Sequence, residues 1–266
     1  MFIYPHMDRL YGTHKPTNFV QKSLLAVGSG LMSIADPSRD DMISIFGETT
    51  GNLALRSMRE QMIVDPEGDR ILKERPVINT KTVNLDYLKS LPIGTLGKEY
   101  SNFLVKYNLT PDARRPVSFV DDVELAYIMR RYREIHDLTH VTLGMPINML
   151  GEVTVKWFEG IQYGLPMCVL GAFFGPIRLG PRHTAKYLRL TLPWIVRTAR
   201  QSRSFMNVYF EKHWHKPIQE FRHEQKYDFC WFVIRLLNRT RKISQFIEHI
   251  NSDLLASSLS CISHWL

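Results

Sequence analysis

Cysteine is scarce in this chain of 266 residues: Cys168, Cys230 and Cys261 are its three, they form no CxxC, and they cannot all pair. That excludes a disulfide scaffold and makes reduced thiols the expectation. No internal repeat and no low-complexity linker is present, so one sizeable core can hold most of the chain. An Arg-rich amphipathic leader is also missing. Met1 to Thr13 has few acids but is short and weakly patterned, a poor presequence. Gly47-Glu48-Thr49-Thr50-Gly51 lacks the Lys-Ser/Thr ending of a phosphate loop and reads as a turn with a helix cap, although Glu48 could reach a site. Acidic residues are sparse from Arg178 to Lys242, where fifteen Lys/Arg face four Asp/Glu, although the net charge of the whole chain is only +8. With no recognition module beside that charge, nucleic acid is not the expected partner; an anionic membrane surface or an acidic protein is, against the plain alternative of a solvated helical face. Finally, Gly160 to Ile177 is eighteen residues without a charged side chain. Its six Gly and Pro residues break the continuous hydrogen bonding that lipid demands of a spanning helix, so a buried segment is expected.

What is present centres on Phe119 to Phe158. Leu125, Ile128, Tyr132, Ile135, Thr139 and Leu143 recur at three- and four-residue steps, which predicts a helix with an apolar stripe. Ser118, with Asp121 three residues on, is its expected cap. His136 and His140 flank the stripe one turn apart, a spacing that one divalent cation can bridge. Gly144 and Pro146 should end this helix and begin another, which turns Glu152 back toward both imidazoles across an αα-corner. His136, His140 and Glu152 are therefore candidate metal ligands. Asp137 diverges from His136 by about 100° on a helix, so it is either a fourth ligand at the helix edge or a carboxylate that orients an imidazole. A satisfied polar network with no metal is the bland alternative. His213 and His215 point apart on a helix and make a weak second candidate.

These residues carry a resemblance. His136-Asp137-Leu138-Thr139-His140, with eleven residues before Glu152, resembles the metal signature of the coenzyme Q (ubiquinone) biosynthesis family whose mitochondrial members are numbered fourth in that pathway. The flanks agree: Phe119-Val-Asp-Asp-Val-Glu-Leu-Ala-Tyr127, Gly144-Met-Pro-Ile-Asn-Met-Leu-Gly151, Val155-Lys-Trp-Phe-Glu159, Gly164-Leu-Pro-Met-Cys168 and Gly171-Ala-Phe-Phe-Gly-Pro-Ile-Arg-Leu-Gly180. Phe46-Gly-Glu-Thr-Thr-Gly51 agrees as well. The likeness covers about Pro16 to Glu224. It implies an N-terminal segment 1–15, a helical domain 16–224 and a divergent tail 225–266. It further implies His136, Asp137, His140 and Glu152 as metal-site residues, and a divalent metal, zinc first. The implied activity is that of a carbon–carbon lyase, removal of the C1 carboxylate from a 4-hydroxy-3-methoxy-5-polyprenylbenzoate-type precursor, alone or coupled to ring hydroxylation. The implied setting is a complex with other ubiquinone-biosynthesis enzymes, peripheral on the matrix side of the mitochondrial inner membrane. Against the family's mitochondrial members the start reads as short.

The expected fold is all-α, a multi-helix bundle around an αα-corner carrying a divalent-metal site. Further helices are expected over Asn18–Ala35, with Phe19, Leu24, Val27, Leu31 and Ile34 on one face, and over Ser38–Phe46, Leu53–Val64, a short one opened by Asp65-Pro66-Glu67-Gly68 and running through Glu74, Asp86–Ser90, Leu96–Tyr107, Pro181–Arg200 and Phe205–His223. Val77–Leu85 reads as loop and Thr110–Pro116 as a surface connection. Two other functions compete with a decarboxylase. One is a non-catalytic organiser that binds the precursor lipid and holds the ring-modifying enzymes together, with a structural metal. The other is a His-Asp phosphohydrolase, which would need an upstream His (His6 or His14) and a downstream Asp. An apolar stretch beside the metal, with Gly171, Phe173 and Phe174, also suits a groove for a polyprenyl tail.

Overall fold

The computed structural model describes residues 9–36, 39–180, 184–185 and 187–227. His6, Cys230, Cys261 and the basic stretch 238–242 lie outside the described residues, as do most of segment 225–266 and parts of 1–15 and 181–186. Among the described residues the fold is all-α, with eleven α-helices and no strand beyond an isolated bridge between Thr95 and Pro217. The helices are α1 Phe19–Ala35, α2 Asp40–Thr50, α3 Asn52–Val64, α4 Pro66–Glu74, α5 Leu85–Ser90, α6 Leu96–Tyr107, α7 Val123–Leu143, α8 Met149–Tyr163, α9 Pro166–Phe174, α10 Leu192–Gln201 and α11 Ile218–Glu224. A π-helical turn, Tyr187–Thr191, leads into α10.

Local chemistry sets most of these boundaries. Asn18 and Gln21 form a reciprocal capping box at α1. Asp65 accepts from the N–H groups of Glu67 and Gly68 at α4, where Pro66 takes the first helical position. Asp122, not Ser118, caps α7, accepting from Glu124 and Leu125 N–H at 2.9 Å each. The Ser118 N–H is used elsewhere: it donates, with that of Phe119, to Glu48 Oε2, and Glu48 Oε1 in turn receives Arg133. Glu48 is thus a buried strut between α2 and α7. The helix that was expected to stop at Phe46 runs on through Gly47 to Thr50. Gly47 serves packing there, because a Cβ on it would collide with the Met167 sulfur of α9.

α7 passes through the centre of the molecule and is buried on nearly all sides, as a helix covered by neighbours all round must be. Even its cations are enclosed. Arg131 is wholly buried and holds Glu211 through two bonds, 2.5 and 2.9 Å, while also donating to the Val208 carbonyl. The expected helix Phe205–His223 is broken for this reason. Two single 3-10 turns, Phe205–Asn207 and Phe210–Lys212, thread Phe205, Val208 and Phe210 into the core and bring Glu211 to Arg131; only α11 is helical beyond them. Trp214 stacks on Tyr100 at 5.7 Å, and His213 faces Glu67 at 3.6 Å, so neither neighbour of Trp214 is placed with the candidate ligands. Thr110–Pro116 is less superficial than expected: it holds a 3-10 turn with Pro111 buried, and its Arg114 reaches α7.

α1 turns its apolar face outward. Its helix is where the pattern puts it, but Phe19, Leu24, Val27, Leu31 and Ile34 are exposed, and the opposite side meets α2, with Gly30 set against the Phe46 ring.

Candidate metal centre

Gly144 ends α7 in the left-handed conformation, φ 67°, which favours glycine, and Asn148 caps α8 by accepting from Gly151 N–H at 2.9 Å. The second helix starts at Met149 rather than at Pro146, so Glu152 sits in its first turn. The corner is tight. A Cβ on Gly151 would collide with the Pro146 carbonyl, so only glycine lets α8 fold back this closely.

This corner brings together one ligand atom each from His136, His140 and Glu152, all within 4.8 Å of one another. Glu152 Oε1 is 3.3 Å from His140 Nε2, and Oε2 is 3.7 Å from His136 Nε2. The other ring nitrogens are occupied. His136 Nδ1 meets Glu159 Oε1 at 2.6 Å, and His140 Nδ1 meets the Met145 carbonyl at 3.2 Å. Those acceptors require a proton on each Nδ1, which leaves both Nε2 lone pairs aimed at the space in front of Glu152. His140 Nε2 is buried and makes no hydrogen bond. A buried nitrogen without a partner costs free energy, and a cation between the two rings and Glu152 would remove that cost. The residues therefore fit a divalent cation.

Asp137 lies elsewhere. Its carboxylate is buried and paired with Arg114, away from the converging ligand atoms. The carboxylate that orients an imidazole is Glu159, which the spacing analysis did not single out. Its signal was available: Glu159 is seven residues beyond Glu152, on the same face of α8 two turns along. Besides His136, Glu159 receives Lys156 Nζ at 2.8 Å and the Tyr132 hydroxyl at 2.9 Å, with the Cys168 thiol at 3.5 Å. Burial raises the Glu159 pKa, but the charges of His136 and Lys156 outweigh it and hold the carboxyl well below its usual range. For His136, burial pulls downward and the Glu159 charge prevails, leaving its pKa raised. Burial raises the Glu152 pKa, but the two imidazoles facing its carboxylate outweigh it and hold it low as well. The Cys168 thiol is pushed up to about 12 by burial, which keeps it a neutral, unreactive neighbour.

A groove of about 460 Å³ shares Glu152 with this centre. Glu152, Lys156 and Met149 of α8 line it, with Ile34 of α1, Phe46 of α2, and Gly171, Phe174 and Ile177 from α9 and the turn after it. Phe173 points away, packing on Trp157 at 4.9 Å. His14 does not approach the centre; it is buried against Asp121 at 3.1 Å, so a phosphohydrolase has no upstream histidine among the described residues.

Residues 11–228 match the family profile described as coenzyme Q (ubiquinone) biosynthesis protein Coq4. This chain belongs to the Coq4 family. Its relatives include the mitochondrial ubiquinone biosynthesis protein COQ4 homolog of Xenopus tropicalis, 54% identical over 215 residues, covering 81% of this chain and 76% of that protein. The Homo sapiens COQ4 homolog, also named mitochondrial, is 51% identical over 215 residues, covering 81% of each. A crystal structure from Nostoc punctiforme, named for ubiquinone biosynthesis, superposes with a TM-score of 0.61 at 21% identity, covering 79% of this chain and 98% of that one. At that identity it speaks for the Coq4 fold alone. Membership makes this chain a ubiquinone-biosynthesis protein.

Proposed function

We propose that this Coq4 protein is a metal-dependent decarboxylase acting on the ring C1 carboxylate of a polyprenylated 4-hydroxybenzoate-type precursor. The observation that carries the reading is the three-ligand cluster: three ligand atoms converge at one corner, and one of the ligands, Glu152, also lines an apolar groove. A structural zinc normally has four protein ligands, so three beside a groove suit a centre that also binds substrate. A bound divalent cation would supply Lewis-acid polarisation of the carboxylate; zinc suffices for that, whereas coupling to hydroxylation needs a redox-active metal and oxygen.

The protein's own residues do the rest. His136, His140 and Glu152 hold the cation, and Glu159 fixes the His136 ring. Lys156, whose ammonium rests on Glu159 and Tyr132, lines the groove beside Glu152 and offers positive charge to an anionic ring substituent. The apolar walls hold the polyprenyl tail and keep water from the ring; each CH₂ buried there contributes about 0.8 kcal/mol. In the simple reaction the C1–carboxylate bond breaks, CO₂ leaves, and the electron pair left on C1 takes a proton. We assign the protein to the matrix face of the mitochondrial inner membrane, as a peripheral member of a complex with the other ring-modifying enzymes. Among the described residues no helix is long and apolar enough to cross a membrane.

The test joins metal content to turnover of a defined carboxylated precursor by purified protein. In cells, His140→Ala should accumulate the ring-carboxylated precursor while the partner enzymes remain assembled. Collapse of the assembly with a mixture of intermediates would favour a non-catalytic organiser instead.

A further inference from the structure

α1 is an apolar helix turned outward. Val20, Leu24, Val27 and Leu31 follow one another at steps of four, three and four residues, so they form one stripe along its axis. That stripe faces solvent: Leu24 is 69% and Leu31 66% exposed. An apolar face of this length is more than scattered surface leucines, and such faces mark contact surfaces. We propose that this face of α1 is where the protein rests on a lipid bilayer, with α1 lying in the plane of the interface.

Three observations select a bilayer as the occupant. First, charge: α1 contains no acidic residue, its single charged residue, Lys22, is paired with Asp121, and exposed Arg178 stands at its C-terminal end against the Ile34 and Ala35 carbonyls. Anionic headgroups match that arrangement. Second, dimension: α1 has 17 residues and does not qualify as a spanning helix, so its apolar face can be covered by lipid only from the side. Third, continuity: α1 ends at the groove. Gly30, Ser33 and Ile34 line one wall, exposed Ile177 and half-exposed Phe174 line the opposite one, and Arg178 ties the two walls by donating to the Ile34 carbonyl at 2.7 Å. A bilayer against α1 therefore lies at the mouth of the cavity that leads to Glu152. A long-tailed ligand could pass from acyl chains to groove without crossing water.

The proposal names the partner surface for the function given above, yet its test contains no precursor, so the two readings fail separately. The full chain is mixed with phosphatidylcholine vesicles, with and without added phosphatidylglycerol, and floated on a density gradient. Wild-type protein should rise with the vesicles, more so with the anionic lipid. Leu24→Glu and Leu31→Glu each replace an exposed side chain, so helix content and melting temperature should hold, while the bound-to-free ratio drops about tenfold or more per substitution. Flotation of both variants at the wild-type level would overturn the proposal, as would failure of the wild type to float. So would light scattering that finds a wild-type dimer split by either substitution, which would assign the face to a second copy of this chain.

Discussion

Glu159 Oε1 lies 2.6 Å from His136 Nδ1, and Glu159 Oε2 lies 2.8 Å from Lys156 Nζ. One buried carboxylate thus holds a candidate metal ligand and the cation that lines the groove.

Glu159→Gln keeps the shape and removes the charge. Carboxylates that orient ligating histidines are worth roughly 10–100-fold in metal affinity. We expect a loss of that size, read by competition with a chromophoric chelator, with helix content retained. Wild-type affinity in the variant would show that His136 needs no anchor.

His136→Ala and Glu152→Ala should each remove most bound metal, measured by elemental analysis with circular dichroism as control. Asp137→Asn should retain metal, because its carboxylate is engaged by Arg114 rather than by the converging ligand atoms. Full retention in both Ala variants would abolish the site.

Gly171→Leu tests the tail groove. A Cβ there meets the Lys156 stem at 3.3 Å, a contact that a flexible chain can relieve, and the rest of the leucine enters the cavity. Long-tailed precursors should bind far more weakly and short-tailed ones little changed, with metal content intact. Equal losses for both would make the segment ordinary core.

The α4 N-terminus gives a pH-dependent prediction. Arg203 reaches Glu67 at 2.6 Å and Asp65 at 2.6 Å. Burial raises the Glu67 pKa, but His213, Arg203 and the Tyr209 N–H outweigh it and bring it down to about 2. A carboxyl lowered on folding stabilises fully above its unfolded value of about 4.3, and that contribution fades as pH falls toward the folded value. Arg203→Met should cost about 1–2 kcal/mol in urea unfolding near neutral pH. The gap from wild type should narrow as pH drops through about 4 toward about 2. A constant gap would mean that Arg203 acts only by packing.

Arg131→Met strands Glu211 beside the core. Loss of one partner of an enclosed pair typically costs about 3–5 kcal/mol, so a large fall in melting temperature is expected. Restoring stability with the double change Arg131→Met, Glu211→Leu would tie the loss to the abandoned charge.

The elements legible in the sequence were those with local causes. The Asp65-Pro66 start of α4, the Gly144 stop and the 96–107 helix needed only neighbouring residues. The convergence of His136, His140 and Glu152 was readable because a helical period and one glycine corner determine it. What escaped had distant causes. Asp122 rather than Ser118 caps α7 because the helix begins only at Val123, and Glu48, seventy residues upstream, holds the Ser118 and Phe119 N–H groups in the segment before it. The 205–217 stretch breaks because Arg131 needs Glu211. The apolar stripe of α1 was evident, but periodicity says that a face is greasy, not what covers it. Glu159 went unmarked because an acid on a helix is ordinarily a solvated one, and only burial reveals otherwise.

The α7–α8 corner also bears on when the site can form. His136 through Glu159 is a run of 24 residues containing both histidines, both carboxylates and the glycine corner. Loop-closure cost grows only with the logarithm of separation, so this hairpin closes cheaply, and such local contacts form early. During synthesis the segment bearing Glu211 follows later, Glu211 lying 52 residues beyond Glu159. The ligand corner can thus form from local contacts, before the segment bearing Glu211 arrives to neutralise Arg131.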